Sequence, residues 1–409
     1  MKAVGITAEY NPFHLGHAHH IAQTRTILGK DRPVVCVMSG SWVQRGECAL
    51  ADKWTRAGLA LESGADLILE LPLPWAISSA EGFARGAVAI LEATGVVDTL
   101  SFGSESGDLV SLRMLAEGLE SEAYRNALHI ELDKGISFAE ARQQAMIRCM
   151  GKRAELLRGP NDSLGVEYLR AAGERLDALT VIREGVSHDS DSPTDGFASA
   201  SALRDLAKKG KWDEMVPWMP AGAPETLKRA GIADRRRILR ALLARLRTME
   251  EADFAALPDS GSKEGLPARL VRAAGQAESL EDFYRLAKTR RYVYARLRRL
   301  AIWAFLGLKA SDRPVRPEYL RVLGMNRRGM DLLREMKSRA TLPILTKPAH
   351  ISDFSPEARR LFALECRGTD LYGLCFEKVR PGGLDYTSGP VILDQGPRPD
   401  PISLFSDDP

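Results

Sequence analysis

A short apolar segment that runs straight into a polar turn constrains the fold of this chain more than any other feature. Residues 1–7 have the composition of a buried strand, and residues 17–28 have that of a helix. The stretch that joins them, Ala8 to His20, reads AEYNPFHLGHAHH and contains four histidines. A strand that leads through such a turn into a helix is suited to phosphate, because the first helical N–H groups lack internal partners and the helix dipole favours anions.

Strand and helix signals alternate through the first hundred residues. Apolar runs at 33–38, 67–71 and 99–103 predict three further strands, and helices are predicted between them at 52–63 and 79–94. This alternation predicts an α/β fold with an N-terminal Rossmann-like, doubly wound parallel sheet. Ligands of such sheets lie at the carboxyl ends of the strands, and the histidine-rich turn follows the first of them.

Two helix starts carry residues suited to a triphosphate. The imidazoles of His14 and His17 can donate to phosphate oxygens, and Gly16 between them lets the backbone come close. After a further predicted strand near residue 180, Ser199 and Ser201 open a helix that carries Arg204. Serines cap many helices without binding a ligand, but the two motifs together match the way in which nucleotidyltransferases hold a triphosphate.

The four histidines could instead hold a metal ion. No cysteine or carboxylate completes a ligand set for them, and His19 and His20 are adjacent on a predicted helix and would point apart. We therefore predict that the chain has no metal site.

Arginines dominate the second half of the chain. The segments 235–247, 285–299 and 316–337 are rich in arginine, whereas the net charge of the whole chain is only +3. Basic helices are often only solvated faces, but the tyrosines interleaved at 284–294 favour RNA, because unpaired bases stack on aromatic rings and guanidinium groups hold phosphates. The predicted RNA-binding residues are Arg290, Arg291, Tyr292, Arg296 and Arg299.

These signals divide the chain into three predicted parts. Residues 1–208 form the ATP-binding catalytic domain, and residues 209–340 form a mainly helical, basic domain that binds RNA. Residues 341–409 form a small mixed segment, with short strands near 374–379 and 390–393.

The cysteines and the apolar runs indicate a cytoplasmic protein. Five scattered cysteines without a CxxC pair are typical of reduced thiols rather than of a disulfide framework. The apolar run at 300–308 is much shorter than the roughly 20 residues of a membrane span, and the N-terminal segment lacks the pattern of a signal peptide. We expect no membrane partner.

An ordered series of blocks extends the two phosphate motifs and covers most of the chain up to about residue 310. The first blocks read EYNPFHLGH at 9–17 and MSGSWVQRGE at 38–47. The others lie at 52–57, 70–72, 79–81, 102–105, 160–169, 198–201 and 290–296. Together they resemble the bacterial tRNA(Met) cytidine acetate ligase family, within the nucleotidyltransferases that carry an HxGH signature. Two residues depart from the family pattern, since Leu15 stands where Asn is common and Cys48 where Pro is common.

The resemblance implies a reaction and its substrates. The family acetylates the wobble cytidine of elongator tRNA(Met) to N4-acetylcytidine with free acetate and ATP, through an acetyl-adenylate and with release of pyrophosphate. The implied partners are therefore ATP, acetate and the anticodon region of the tRNA. The resemblance leaves open whether Mg²⁺ accompanies ATP, and no protein partner is inferred.

The resemblance also implies site residues. The expected catalytic residues are His14, His17 and Arg204. The expected ATP contacts are Thr7, Ala8, Glu9, Tyr10, Asn11, Pro12, Phe13, Leu15, Gly16, His20, Gly103, Asn161, Arg183, Ser199 and Ser201. His20 belongs to the matched turn, but neither it nor His19 is expected to take part in the chemistry. Arg45 and Lys53 are further candidates for contact with phosphate or RNA.

Two other functions remain open at this point. An adenylyltransferase that acts on a small phosphate-bearing metabolite would share both phosphate motifs, but it would leave the arginine-rich half without a role. An RNA-binding protein that holds ATP only as a structural or regulatory ligand would bind ATP without releasing pyrophosphate.

Overall fold

A mostly parallel sheet of eight strands carries the candidate site in the computed structural model, which describes residues 2–183, 198–261 and 265–393. The acidic stretch 184–196, whose polar residues predict a loop, and the last sixteen residues of the predicted C-terminal segment lie outside this part of the chain. The strands are β1 (Ala3–Ala8), β2 (Val34–Ser39), β3 (Trp42–Val43), β4 (Glu47–Cys48), β5 (Leu67–Leu71), β6 (Val97–Ser104), β7 (Asp177–Ile182), β8 (Leu320–Asn326), β9 (Ile344–Leu345) and β10 (Val391–Leu393).

The strand order confirms the predicted doubly wound topology. The sheet runs β10-β8-β5-β2-β1-β6-β7, with β9 beside β8, and β3 pairs with β4 in a separate antiparallel hairpin. Strands β5, β2, β1, β6 and β7 are parallel, whereas β8 pairs antiparallel with β5. All six residues of β2 are buried, as expected for a parallel strand that helices cover on both faces.

The helices of the first half follow the predicted pattern to within about two residues. Asp52 and Ser79 accept from backbone N–H groups at the starts of α2 and α4, which explains where these two helices begin. The helices are α1 (Leu15–Leu28), α2 (Lys53–Glu62), α3 (Leu73–Ala76), α4 (Ala80–Ala93), α5 (Leu109–Gly118), α6 (Glu122–Leu132), α7 (Phe138–Met150), α8 (Pro160–Ala172) and α9 (Ala200–Lys208), with a 3-10 segment at Gly151–Arg158.

The second half is mainly helical, as predicted. Its helices are α10 (Ala223–Ala230), α11 (Leu239–Arg247), α12 (Glu251–Ala255), α13 (Leu266–Gln276), α14 (Leu280–Ala287), α15 (Tyr294–Leu306), α16 (Arg327–Arg339), α17 (Pro356–Tyr372) and α18 (Leu384–Thr387). Shorter 3-10 segments lie at Asp213–Trp218, Arg235–Ile238, Ala310–Asp312, Pro348–Asp353 and Gly373–Cys375. None of the helices in the described ranges combines the length and the apolar character that a membrane span requires.

Three local predictions in the loops and in the second half were wrong. The strand predicted near 374–379 is absent from the described chain, because Gly373–Cys375 forms a 3-10 turn after α17. The basic segment 316–337 contains strand β8, whose seven residues are all buried. The stretch 39–48, whose polar residues predict a loop, contains the β3–β4 hairpin.

Two apolar clusters cover the two faces of the sheet. Alternate residues of β2 belong to different clusters: Val34, Cys36 and Met38 pack on one face, and Val35 and Val37 pack on the other. The second of these clusters continues into the helices of the second half. Strands β8 and β10 also add the second half to the sheet of the first, so the chain is joined by a shared core, and the boundaries at 208 and 340 stay a prediction.

Candidate active site

A cleft of about 440 Å³ opens at the carboxyl ends of β1, β2, β6 and β7. This is the edge at which a doubly wound sheet binds its ligand. The polar residues that line it come from the histidine-rich turn, from the β3–β4 hairpin, from the β6–α8 side and from α9. They include Thr7, Glu9, Asn11, His14, His17, His19, His20, Gln44, Arg45, Glu47, Asn161, Ser163, Tyr168, Arg183, Ser199 and Arg204.

His14 and His17 are fixed by a reciprocal capping box at the start of α1. The Nδ1 atom of His14 accepts from the backbone N–H of Gly16 at 3.1 Å, and the Nδ1 atom of His17 accepts from the backbone N–H of His14 at 3.2 Å. The two rings stack with their centroids 3.8 Å apart. Because Nδ1 serves as an acceptor in each ring, the neutral imidazoles carry their proton on Nε2. The cap therefore prepares two imidazole N–H donors at a helix N-terminus that lines the cleft.

The turn before α1 is held rigidly by buried partners. Arg56 is fully buried and donates to the carbonyl oxygens of Glu9, Ser39 and Gly40. Tyr10 has a positive φ of 47°, a backbone conformation that is uncommon for a residue with a side chain. The Asn11 Oδ1 atom accepts from the backbone N–H of Leu50 at 2.7 Å, so the turn is also tied to the loop after β4.

Some of the predicted ATP contacts lie elsewhere. Phe13 is completely buried and packs against Tyr10 and His17, with ring centroids 4.8 and 5.4 Å away, so it supports the histidine rather than facing a ligand. Pro12, Leu15 and Ser201 are also not among the residues that line the cleft. The signal that placed them at the site was their position within matched blocks, which does not distinguish supporting side chains from lining ones.

Two carboxylates fix the position of Asn161 at the β6–β7 end of the cleft. The Glu105 carboxylate accepts from the backbone N–H and the side-chain amide of Asn161 and from the backbone N–H of Asp162. Asp162 in turn accepts from the hydroxyl of Ser104 and from the backbone after it. The two carboxylates thereby hold Asn161 in place, and the N–H groups of Asn161 and Asp162 that they occupy are not offered to phosphate.

Gly103 leaves a space that the Arg183 side chain covers. A Cβ atom on Gly103 would lie 3.2 Å from the Cγ atom of Arg183, so any side chain would crowd the arginine. The absence of a side chain at Gly103 therefore leaves room for the Arg183 side chain to lie against β6 at the cleft.

Arg204 links the second phosphate motif to the first. Its Nη1 atom donates to the carbonyl oxygen of Asn11 at 2.8 Å, and the residue lines the cleft. The Ser199 hydroxyl caps α9 by accepting from the backbone N–H of Ala202 at 3.1 Å. Both residues therefore lie at the cleft as predicted, although part of the role of Ser199 is structural.

His20 lines the cleft as a neutral side chain. Burial, reinforced by the charge of Arg183, lowers its pKa to about 3. Its Nε2 atom forms a hydrogen bond of 3.0 Å with the hydroxyl of Ser101, which also contacts Thr24. His20 therefore anchors α1 to β6.

The expectation that Lys53 contacts phosphate or RNA is wrong. Its Nζ atom is completely buried and lies 2.7 Å from Glu70 and 2.6 Å from Asp385. Arg321 joins the same two carboxylates at 3.2 and 2.6 Å. We call Lys53, Glu70, Arg321 and Asp385 the buried charge cluster; it joins α2 and β5 to β8 and α18.

A shallow pocket on the arginine-rich half lies apart from the cleft, between α13, the loop after α14 and the loop after α6. Arg272, Arg290 and Arg291 are exposed there, and they form no ion pair with a carboxylate of the described chain. Arg269 instead donates to the carbonyl oxygens of residues 286–288 and so holds the end of α14. We call this group of four residues the arginine pocket.

Two of the predicted RNA contacts are less accessible than expected. Tyr292 is only 5% exposed, and the guanidinium of Arg296 lies 5.5 Å from its ring centroid, so the ring is not placed to stack on a base. Arg299 is largely buried, which lowers its pKa. The tyrosines that suggested RNA stacking, including Tyr284, belong mostly to the core.

On the β3–β4 hairpin, sequence reasoning named Arg45 as a candidate but did not name Gln44 or Glu47. The backbone N–H of Gln44 donates to the Glu9 carboxylate at 2.7 Å, and the Gln44 side-chain amide is buried without a hydrogen-bond partner among the described residues. The block at 38–47 offered a signal, but its polar residues indicated only a loop. Within the described ranges, no three His, Cys, Asp or Glu side chains are grouped closely enough to hold a metal ion.

Comparisons with known proteins agree on one family. A family model described as HIGH Nucleotidyl Transferase matches residues 1–385. The tRNA(Met) cytidine acetate ligase of Acetivibrio thermocellus is 34% identical over 96% of this chain and 100% of its own length. The enzyme of that name from Thermotoga maritima is 35% identical over 94% of this chain and 99% of its own length.

Solved structures give the same result. The apo crystal structure of Thermotoga maritima TmcAL superposes with a TM-score of 0.91 at 33% identity, and it covers 97% of this chain and 100% of that one. The structure of that protein bound with alpha-thio ATP superposes with a TM-score of 0.89 at 32% identity, with the same coverage.

Proposed function

The chain belongs to the tRNA(Met) cytidine acetate ligase family, and we propose that it acetylates a cytidine of tRNA(Met) with acetate and ATP. The observation that carries this proposal is the capped histidine pair at the edge of a nucleotide-binding sheet, in a chain that matches the ligases over nearly its whole length. In its finer form the proposal is that the target is the wobble cytidine in the anticodon of elongator tRNA(Met), and that the product is N4-acetylcytidine. This role is consistent with a cytoplasmic location.

The first step is the formation of an acetyl-adenylate. An acetate oxygen attacks the α-phosphorus of ATP, and pyrophosphate leaves with the electron pair of the broken P–O bond. Negative charge builds on the phosphate oxygens in the transition state. In this proposal the Nε2–H groups of His14 and His17, the start of α1 and the Arg204 guanidinium stabilise that charge.

The adenosine lies at the other end of the cleft in this proposal. Gly103, Asn161 and Arg183 contact it there. The hydrogen bond from the Asn161 side-chain amide to the Glu105 carboxylate supports this assignment, because it fixes the Asn161 side chain before any nucleotide binds. Thr7, Ala8, Tyr10 and Asn11 would contact ATP through the backbone of the turn, since the side chains of Tyr10 and Asn11 are buried.

A divalent cation such as Mg²⁺ would be held mainly by the phosphates of ATP. Mg²⁺ prefers oxygen ligands and commonly keeps several waters when it binds a nucleotide. The described residues contain no group of three acidic, histidine or cysteine side chains for such an ion, so a cation would arrive with the nucleotide rather than occupy a preformed site.

The experiment that tests this function measures two outputs. Acetate-dependent exchange of labelled pyrophosphate into ATP reports the adenylate, and nucleoside mass spectrometry of tRNA(Met) reports acetylcytidine. A rate of pyrophosphate exchange that does not depend on acetate but increases with a phosphate ester would favour the adenylyltransferase. ATP binding without pyrophosphate release would favour a non-catalytic RNA-binding protein.

We also propose that the arginine pocket binds the phosphate backbone of the tRNA. The double variant Arg290→Ala/Arg291→Ala removes two exposed guanidiniums that have no carboxylate partner in the described chain. We expect weaker tRNA binding and a salt dependence whose log–log slope is shallower by about 0.7–0.9 per lost phosphate contact, because fewer counterions are released. Fluorescence anisotropy with labelled tRNA at several salt concentrations measures both quantities.

The matched control is Arg360→Ala, which removes an exposed arginine on α17 that pairs with Glu357. It should leave the slope unchanged. An equal loss of affinity in both variants would mean that the arginine pocket contributes only general positive charge. Pyrophosphate exchange should stay within about twofold of the parent in the double variant, because the pocket lies outside the cleft.

A further inference from the structure

Glu9 is a carboxylate in a cleft that otherwise offers donors to phosphate. Glu9 and Glu47 are the two acidic residues among those that line the cleft. Glu47 has a cationic partner, since its carboxylate lies 3.7 Å from Arg298. Glu9 forms no such ion pair with any described residue. A carboxylate beside a triphosphate opposes the binding of ATP, so the binding of the nucleotide does not explain why it is there.

The hairpin holds the Glu9 carboxylate in one orientation. Its Oε1 atom accepts from the backbone N–H of Gln44 at 2.7 Å, while its backbone carbonyl accepts from Arg56 at 2.6 Å. The second oxygen, Oε2, takes no hydrogen bond from any residue of the described chain. Glu9 is therefore positioned through one oxygen and retains the other for a reacting group.

Glu9 also lies toward the side of the cleft that faces the arginine-rich half. Along the sheet, β6 and β7 with Gly103 and Arg183 lie on one side of β1, and β2 with the hairpin lies on the other. The hairpin packs directly on α15: a Cβ atom on Gly46 would lie 2.7 Å from the backbone of Arg298. A base delivered from the arginine-rich half would thus reach the cleft at the hairpin, opposite the end assigned to adenosine.

From this geometry, and resting on the proposed function, we propose that the Glu9 carboxylate accepts the proton that the cytidine amine loses when the acetyl group is transferred. The N4 nitrogen attacks the carbonyl carbon of the acetyl-adenylate and forms the new C–N bond. The C–O bond to the phosphate breaks, and AMP leaves with its electron pair. The proton of the amine passes to Glu9 and then to water, so the enzyme is restored.

The electrostatic surroundings suit a base. Burial raises the pKa of Glu9, and the hydrogen bond from Gln44 and the charges of Arg204, Arg56 and Arg45 oppose that rise without cancelling it. The Tyr168 hydroxyl on α8 is a further titratable group near Glu9, and burial raises its pKa beyond the physiological range. A carboxylate with a raised pKa is a stronger base than an ordinary one, so it accepts a proton more effectively.

Glu9→Gln tests this role, because the glutamine oxygen can still accept from Gln44 while the proton acceptor is lost. Because Glu9 also lines the ATP cleft, acetate-dependent pyrophosphate exchange can fall too, but we expect that loss to be at least tenfold smaller than the loss in transfer. Transfer from preformed acetyl-adenylate to tRNA in a single turnover should fall by about 10²–10⁴-fold, the range of general base catalysis. In the parent, the transfer rate should rise with pH through the pKa of Glu9, and this rise should be absent from Glu9→Gln.

Glu9→Asp provides the second variant, because it keeps a carboxylate on a shorter side chain. It should recover part of the transfer rate and the rise with pH. Transfer by Glu9→Gln at the parental rate, or an equal loss in both steps, would overturn the proposal. If the parent itself shows no acetate-dependent exchange, the proposed function fails instead, which is a separate result.

Discussion

His17→Ala is expected to lower acetate-dependent pyrophosphate exchange by about 10³-fold or more while tRNA affinity stays within about twofold. Loss of one donor to a developing negative charge commonly costs 10²–10³-fold in rate. Here the same change also removes the acceptor for the His14 backbone N–H and the ring that stacks on His14. The position of His14 is thereby disturbed as well, so the two losses add to one another. Exchange assays and tRNA anisotropy on the same preparation measure both quantities.

A matched variant separates the donor from the cap. In His17→Asn the side-chain oxygen takes the place of Nδ1 and can still accept from the His14 backbone N–H, but no N–H group reaches the position of Nε2. We expect its exchange rate to remain at least 10²-fold below that of the parent. Near-parental activity in His17→Asn would show that His17 only holds the turn, and loss of tRNA binding in His17→Ala would refute the separation of the two halves.

The parallel core of the fold could be predicted because its strands are short, nearly continuous apolar runs. Strand β2 is a continuous apolar run, and β5 was predicted with its observed bounds. The helices α2 and α4 begin at side chains with strong capping preference, so their starts were readable. Apolar runs and capping residues act on the few residues next to them in the chain, so the sequence alone is enough to recognise them.

Features that depend on distant partners could not be read in the same way. Strand β8 carries Arg321 and Asn326, so it reads as polar, and its burial depends on carboxylates far away in sequence. The same applies to Lys53, which looked available for phosphate until its partners on β5 and α18 were known. A charged residue reveals its sign in the sequence, but only the fold shows which charges it faces.

In the candidate site, too, the residues of local motifs could be predicted, whereas residues that act through distant partners could not. The donors His14, His17 and Arg204 were predicted because each belongs to a motif with its own chemistry. The roles of Glu105 and Gln44 were not predicted, because these residues act through hydrogen bonds to site residues that are distant in sequence. Arg56 escaped notice for the same reason: its three carbonyl partners come together only in the folded chain.

Asp385→Ala is expected to lower the free energy of unfolding by about 3–5 kcal/mol, because it leaves buried cations without a counter-charge. Two cations and two carboxylates balance in the buried charge cluster. Burial and the nearby carboxylate of Glu70 raise the pKa of Glu365, which lies beside them, well above its ordinary value. Without Asp385, Lys53 and Arg321 share Glu70 alone. Urea unfolding followed by fluorescence measures the change.

The dependence on pH gives this prediction a second signature. Burial disfavours the ionised form of Asp385, but Lys53 and Arg321 outweigh it and hold its pKa below the ordinary value. A carboxylate with a lowered pKa stabilises the fold above the unfolded pKa of about 4 and loses that contribution as the pH falls further. The parent should therefore lose stability below about pH 4 more steeply than the variant, which lacks this group.

Asp331→Ala is the matched control, because it breaks an exposed pair with Arg334 instead of a buried one. Exposed ion pairs contribute about 0–1 kcal/mol, so this variant should differ little from the parent. If the two substitutions lower the free energy of unfolding equally, the buried charge cluster contributes no more to stability than an exposed ion pair does. A large effect of Asp385→Ala alone would show that a residue close to the C-terminal end of the described chain secures β8 and α2 to the sheet. Glu70 also packs against Gly40, and the Gly40 carbonyl accepts from Arg56. The loss of Asp385 should therefore loosen the turn that carries Glu9 before the rest of the cleft unfolds.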